Sequence, residues 1–311
     1  MQLVKQPCRF LFIAIISLLV IAGCDTANKK MGPAPTPLDY REQIDAWVDQ
    51  RIEDLKAPTG WMRLAGLYVL DEGENSFGSG PDQDISFPEG TIAGNAGSMI
   101  LQDSVVTIRT NDDVQITHNG NTVDNMVIYD GENAPVLTSG SLEWFIIQRQ
   151  DLIAVRLYNK ENQKVDRFDG FDRYPTDPSW HLYAHFEPNP PGTTVSVPNV
   201  LGQVDEVAMP GTLSFSIDGE IYRIQAIDAS NDRLFLIIGD ETNETETYPA
   251  GRYMYVDKPD ETGTTIIDFN KIYNPPCAYN PYSTCQLPPS QNRLDVAITA
   301  GEKRPVNWSG R

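Results

Sequence analysis

The residues best equipped for chemistry gather late in the chain. Asp240, Asp268 and Glu302 bring carboxylates, Arg252 a guanidinium, and Asn270, Asn274 and Asn292 side-chain amides. Carboxylates held at the right separation can exchange protons with a scissile bond and a water, as in carboxylate-dependent hydrolysis. With amides and one guanidinium around them, they also suit recognition of a polar ligand such as a sugar or peptide. The same stretch contains Asn274-Pro275-Pro276-Cys277-Ala278. Two prolines remove two backbone donors and fix φ, while asparagines bridge loop backbone groups. A rigid, purely structural loop therefore explains these residues as well as a site does.

Other chemistry is scarce. There are only three histidines, and no Gly-x-Ser-x-Gly, phosphate-binding glycine loop or His-Glu-x-x-His occurs, so a histidine-based triad is not expected. His181 and His185 alternate with Leu182 and Ala184, which puts both histidines on the outer face of a strand with no third metal ligand in view. Residues 166–172 are acidic, but Arg167-Phe168 break the alternation of oxygens that a calcium loop needs and Gly170 falls at the wrong place. A solvated linker is preferred there. No metal and no cofactor are expected. Of the four cysteines, Cys277 and Cys285 are expected as a disulfide in an oxidising compartment, with free thiols or a metal site as alternatives.

The start of the chain reads as an export signal. Lys5 and Arg9 precede an apolar run from Phe10 to Ile21, closed by Ala22-Gly23-Cys24. That run is shorter than the roughly 20 residues a membrane span needs. Ile21-Ala22-Gly23-Cys24 resembles the lipobox of bacterial lipoproteins, which implies cleavage after residue 23 and acylation of Cys24, a durable membrane anchor. Asp25 resembles an inner-membrane retention signal. The expected location is thus the cell envelope, on the periplasmic face, with the inner membrane favoured. The net charge is −19, and loss of Lys5 and Arg9 with the signal makes it −19 − 2 = −21. So acidic a chain repels phosphate backbones, and nucleic acid is not an expected partner.

The elements that must position these groups are mostly strands. Tyr40, Ile44, Trp47, Val48, Ile52 and Leu55 form one apolar stripe at helical spacing. Asp39 and Glu42 suggest a capping box, and the helix is expected to lie as a lid on a β core. Elsewhere short β-branched and aromatic runs alternate with glycine and asparagine turns, such as Ser214–Arg223 around Asp218-Gly219. The fold expected is mainly β: an N-terminal helix, a β-sandwich and a second antiparallel β unit. The divisions expected are signal 1–23, flexible tether 24–38, helix plus sandwich 39–159, linker 160–179, C-terminal β domain 180–304 and tail 305–311.

Two resemblances sharpen this. Glu72-Gly73, Phe77-Gly78-Ser79, Asp84-Ile85-Ser86-Phe87 and the Asn119-Gly120 turn resemble forkhead-associated (FHA) domains over 70–158. That implies the sandwich. Ser79 stands where the phosphothreonine-binding arginine belongs and no Ser-x-x-His follows, so phosphopeptide binding is not implied. Gly73–Gly78, Asp240-Glu241-Thr242, Tyr248–Tyr253, Asp268-Phe269-Asn270, Tyr273–Tyr279, Cys285–Pro289, Asn292-Arg293-Leu294 and Ala300–Lys303 closely resemble the uncharacterised DUF1684 family, over roughly residues 40–304. That resemblance brings no activity. The function expected is a membrane-anchored binding module for a polar envelope ligand, glycan or protein; the alternative is a carboxylate-dependent hydrolase of an envelope polymer.

Overall fold

The computed structural model of the protein describes residues 29–229 and 232–305. The export signal and Cys24 lie outside the described residues. Among the described residues no helix is long and apolar enough to cross a membrane.

The first β unit is a sandwich. Its six-stranded sheet runs in the order Leu64–Val69, Leu152–Asn159, Leu142–Arg149, Leu137–Ser139, Thr117–His118 and Asn121–Thr122. The facing five-stranded sheet runs Ile85–Ser86, Gly73–Gly78, Gly97–Gln102, Val105–Thr110 and Asn125–Tyr129. Period-2 alternation explains the packing. Leu142, Trp144 and Ile146 of one strand, and Ile153, Val155 and Leu157 of its neighbour, point into the core beside Phe77, Phe87 and Met99. The opposite side of the neighbour is not solvated: Ala154, Arg156 and Tyr158 are buried too. Trp61 lies over Arg156 on that outer face.

The second unit is a seven-stranded sheet in the order Gly32–Pro33, His181–Pro188, Gly211–Ile217, Glu220–Ala229, Arg233–Ile238, Arg252–Asp257, with Thr264–Asp268 on the other side of His181–Pro188. It curls into a half-barrel. The Thr265 hydroxyl donates to the Asp257 carbonyl at 2.9 Å, joining the last two strands. The expected hairpin forms with Asp218 and Gly219 at φ +50 and +88, the left-handed pair that a two-residue turn demands. A separate hairpin, Thr194–Pro198 with Val204–Ala208, was not among the strands expected.

Three expectations need correction. The helix spans Tyr40–Lys56 with Asp39 before it, but no side chain caps its backbone. The Asp39 carboxylate instead accepts from the Gln43 amide at 3.1 Å. The described end of the expected tether is docked: Gly32–Pro33 pairs with Leu182–Tyr183, and the Ala34 amide donates to the His181 carbonyl at 2.8 Å. Prolines at alternate positions hold the chain extended, which also suits an edge strand. The stretch expected as a solvated linker buries Val165, Phe168 and Tyr174. Val165 and Phe168 pack with Leu55, Met62, Ala278 and Tyr279. The apolar stripe of the helix likewise runs to the second unit, because Tyr40 meets Asp268 and Arg51 meets Glu302 there.

Candidate functional site

The seven polar residues marked in the sequence do not converge on one pocket. They fall into four internal networks: three hold residues 292–303 onto the half-barrel, and one, around Asp268 and Asn270, ties the helix and Asp177 to it. The strap 292–303 contains no extended strand; some of its backbone groups pair with distant backbone, as Leu294 N with the Gly239 carbonyl at 2.9 Å, and side chains satisfy others.

Arg252 is fully buried and Asp240 nearly so. The guanidinium donates to Asp240 at 2.8 Å, and to the carbonyls of Ile298 at 2.9 Å and Ala300 at 2.6 Å. Asp240 also accepts from the Thr242 amide and the Ile298 amide. Asn292 acts as a staple: its amide oxygen accepts from Gln225 N at 2.8 Å, and its nitrogen donates to the carbonyls of Gln225 and Ile237. Asp268 accepts from the Tyr40 hydroxyl at 2.8 Å and from the Asn270 backbone, while Asn270 bonds both backbone groups of Asp177. Burial, then the bond to Asp268, drives the Tyr40 phenol far above its usual range.

Glu302 organises the fourth network. It is buried and accepts from Arg51 Nε at 3.1 Å, Asn274 N at 2.7 Å and the Tyr279 hydroxyl at 2.8 Å. Asn274 in turn donates to the Lys303 carbonyl at 2.8 Å. Arg51, which the sequence did not single out, lies 4.5 Å from the Tyr273 ring centroid. Burial works against its charge, but Glu302 and the neighbouring phenols more than offset this and raise its pKa. Burial, followed by the charge of Glu302, raises Tyr279 well above the ordinary phenol range. Gly301 has φ +69, and a Cβ there would sit 2.3 Å from the Ile272 carbonyl oxygen, so only glycine lets the strap lie flat. Cys277 and Cys285 are paired with their Cα atoms 6.1 Å apart.

The open feature lies elsewhere. A cleft of about 540 Å³ runs between the sandwich and the second unit. Trp61, Gln148, Arg149 and Arg156 line it from one side, and Asp205, Phe235, Tyr253 and Gln286 from the other. None of the seven marked residues lines it; Cys285 does, so the disulfide loop forms part of its wall. The two units are clamped at its rim. Gln150 donates to the Val204 carbonyl at 2.8 Å and to Asp205 at 3.0 Å, Gln203 donates to the Arg149 carbonyl at 3.1 Å, and Arg149 Nε donates to Thr284 at 3.3 Å. One signal pointed here. Arg156 is the lone charge in the run Ile153–Tyr158, but alternation alone assigns it to solvent.

Of the remaining candidates, His181 Nδ1 lies 3.3 Å from the Ala34 carbonyl and its ring meets Tyr40 edge-on. Among the described residues no group of His, Cys, Asp or Glu is placed to hold a metal. Ser79, in the position of the forkhead-associated arginine, donates to the Ile92 carbonyl at 2.6 Å.

Comparison with known proteins adds family but no activity. No curated protein matches the chain. An uncharacterised protein of Haloarcula marismortui, solved by solution NMR, is 30% identical over 47% of this chain and 82% of its own, with a TM-score of 0.39. An FHA domain studied for phosphothreonine-dependent interactions is 16% identical over 30% of this chain and 92% of its own, TM-score 0.21. The FhaA FHA domain, solved with the intracellular domain of Rv3910, is 17% identical over 29% and 96%, TM-score 0.22. The forkhead-associated likeness is weak, in keeping with that read from residues 70–158. The model of the family described as "Protein of unknown function (DUF1684)" matches residues 166–303, beginning later than the expected residue 40; it spans the strap, while Tyr40 and Arg51, partners in two of the networks, precede it. Residues 166–303 of the chain belong to the DUF1684 family.

Proposed function

We propose that the chain is a membrane-tethered binding module of the bacterial cell envelope, held by lipid on Cys24, that presents the cleft between its two units to a polar envelope ligand. The observation that carries this reading is the cleft itself. Its volume of about 540 Å³ falls within the range of small-molecule sites, and its lining mixes aromatic faces with a few side-chain amides and charges, the composition such sites use. The hydrolase alternative needs two carboxyls free to meet a substrate. Asp240, Asp268 and Glu302 instead spend their oxygens on internal donors.

Two measurements test the reading. Cys24→Ser should move the full chain from the membrane fraction to the soluble fraction; retention through a detergent-free wash would refute the anchor. The wild-type chain, purified in detergent, should be retained by isolated envelope glycan without releasing soluble fragments from it. Fragment release would favour the hydrolase, and absence of retention would refute the binding role.

A further inference from the structure

The geometry points to an anionic saccharide as the ligand of the cleft, its carboxylate or phosphate bound by Arg156 and Arg149. This rests on the binding reading above and names the chemistry of the ligand.

Arg156 is the key observation. Only 7% of the residue is exposed, its Nε has no hydrogen-bond partner, and it lines the cleft. Among the described residues no carboxylate lies within ion-pair distance of it. The centroid of the Trp61 ring lies 5.7 Å from its guanidinium carbon. A buried guanidinium is costly unless paired, and proteins normally pair it. Arg252 in the same molecule shows the usual solution, with Asp240 and three carbonyls around it. Arg156 has no such set.

A second unpaired cation stands beside it. Arg149 donates to the Thr284 hydroxyl and the Gln148 carbonyl but meets no carboxylate among the described residues. Burial, and then the repulsion of Arg149, lowers the pKa of Arg156. The facing charge is Asp205, whose carboxylate is held by Gln150 at 3.0 Å. Two arginines against one aspartate leave the cleft net positive in a chain of net charge −19. An oxyanion accepting from both guanidinium groups would satisfy them in the geometry arginine favours for carboxylate and phosphate. The sugar follows from the other walls. Trp61, Phe235 and Tyr253 line it with aromatic surface suited to the C–H face of a pyranose, and Gln286 adds a side-chain amide for a hydroxyl, while Gln148, Gln150 and Asn199 are already held by internal hydrogen bonds. Asp205 would accept from a hydroxyl beyond the anionic group.

The test titrates three probes calorimetrically into the full chain in detergent: a uronic-acid oligosaccharide, a hexose phosphate and an uncharged glucose oligosaccharide. At least one acidic probe should bind about tenfold or more tighter than the neutral one, the scale of a hydrogen bond to a charged group. Which acidic probe binds separates carboxylate from phosphate. Arg156→Met should weaken the acidic probe about tenfold or more while leaving the melting temperature unchanged or raised, because an unpaired buried charge is removed. Arg149→Gln, at a half-buried position, should weaken it in the same direction with the fold intact. Equal affinity for neutral and acidic probes would overturn the inference and leave the binding reading standing. So would silence from all three probes while envelope glycan still retains the chain. Unaltered binding in both variants, or a melting temperature several degrees lower in Arg156→Met, would also overturn it. Loss of glycan retention as well would bring down the binding reading with it.

Discussion

Replacing Arg252 by methionine tests the idea that the family's C-terminal residues are a scaffold. The substitution keeps the aliphatic stem and deletes a fully buried guanidinium that donates to Asp240, Thr242 and the carbonyls of Ile298, Ala300 and Glu302. Asp240 would remain as a charge without its partner, its side chain wholly out of solvent. Breaking one half of a buried pair costs about 3–5 kcal/mol. Asp240 keeps its bonds from Thr242 and the Ile298 amide, which argues for the lower end. The stranded carbonyls, at about 1–3 kcal/mol for each left wholly unsatisfied, argue for the upper. At roughly 2–4 °C per kcal/mol for a chain of this size, melting should fall by roughly 6–20 °C. Urea unfolding should show the same loss, and proteolysis should first cut within residues 292–303, the strap freed from the sheet. Pairing the change with Asp240→Asn should cost less than the sum of the two single losses, with a coupling of about 1–3 kcal/mol. A stability within about 1 kcal/mol of wild type, a small effect by the standard of buried pairs, would refute the scaffold argument. Unchanged stability with lost glycan retention would identify Arg252 as a ligand-binding group instead.

Three further outcomes follow from the same geometry. Gly301→Ala should cost at least about 3 kcal/mol, since it adds a Cβ against the Ile272 carbonyl at a left-handed φ; near-wild-type denaturation would mean the strap can shift. Replacing Cys277 and Cys285 by serine removes a link eight residues apart and should cost about 2–3 kcal/mol on the chain-entropy account, read as a melting shift of several degrees that reductant reproduces in the wild type. The phenols of Tyr40, Tyr253 and Tyr279 are raised chiefly by burial. Their neutral form stabilises the fold fully below the unfolded phenol pKa of about 10, and this is lost as pH climbs above it. Phenolate absorbance from these side chains should therefore appear together with unfolding under alkali; smooth ionisation in an intact fold would contradict their burial.

Much of the molecule was legible because local rules were enough. The helical stripe from Tyr40 to Leu55, the alternation through Leu142–Arg149 and Leu152–Asn159, and the Asp218-Gly219 turn each depend on neighbours a few residues away. The unusual Asn-Pro-Pro-Cys block was equally visible as something other than a strand, and Cys277 with Cys285 was expected as a disulfide on the export reading, with free thiols or a metal site as alternatives. What those signs did not contain was the sense in which the polar residues are used. Asp240 and Arg252 are close enough in sequence to suggest a pair. That Glu302 accepts from Arg51, 251 positions away, is not readable from either segment.

The amino-acid sequence by itself determined the β character and the turns, because periodicity and turn chemistry are properties of short stretches; the family came from the resemblance of its C-terminal block. Only the tertiary structure decided which polar groups are buried and with whom. Arg156 makes the difference plain. Its position on the strand puts it opposite the sandwich core, where alternation expects water, yet in the folded chain that face is buried, with Trp61 over Arg156. Whether a side chain meets solvent, a partner or a cleft depends on what docks against its strand from distant sequence. Arg156 is left a buried charge with no carboxylate at ion-pair distance among the described residues, whereas Arg252 has Asp240 at 2.8 Å.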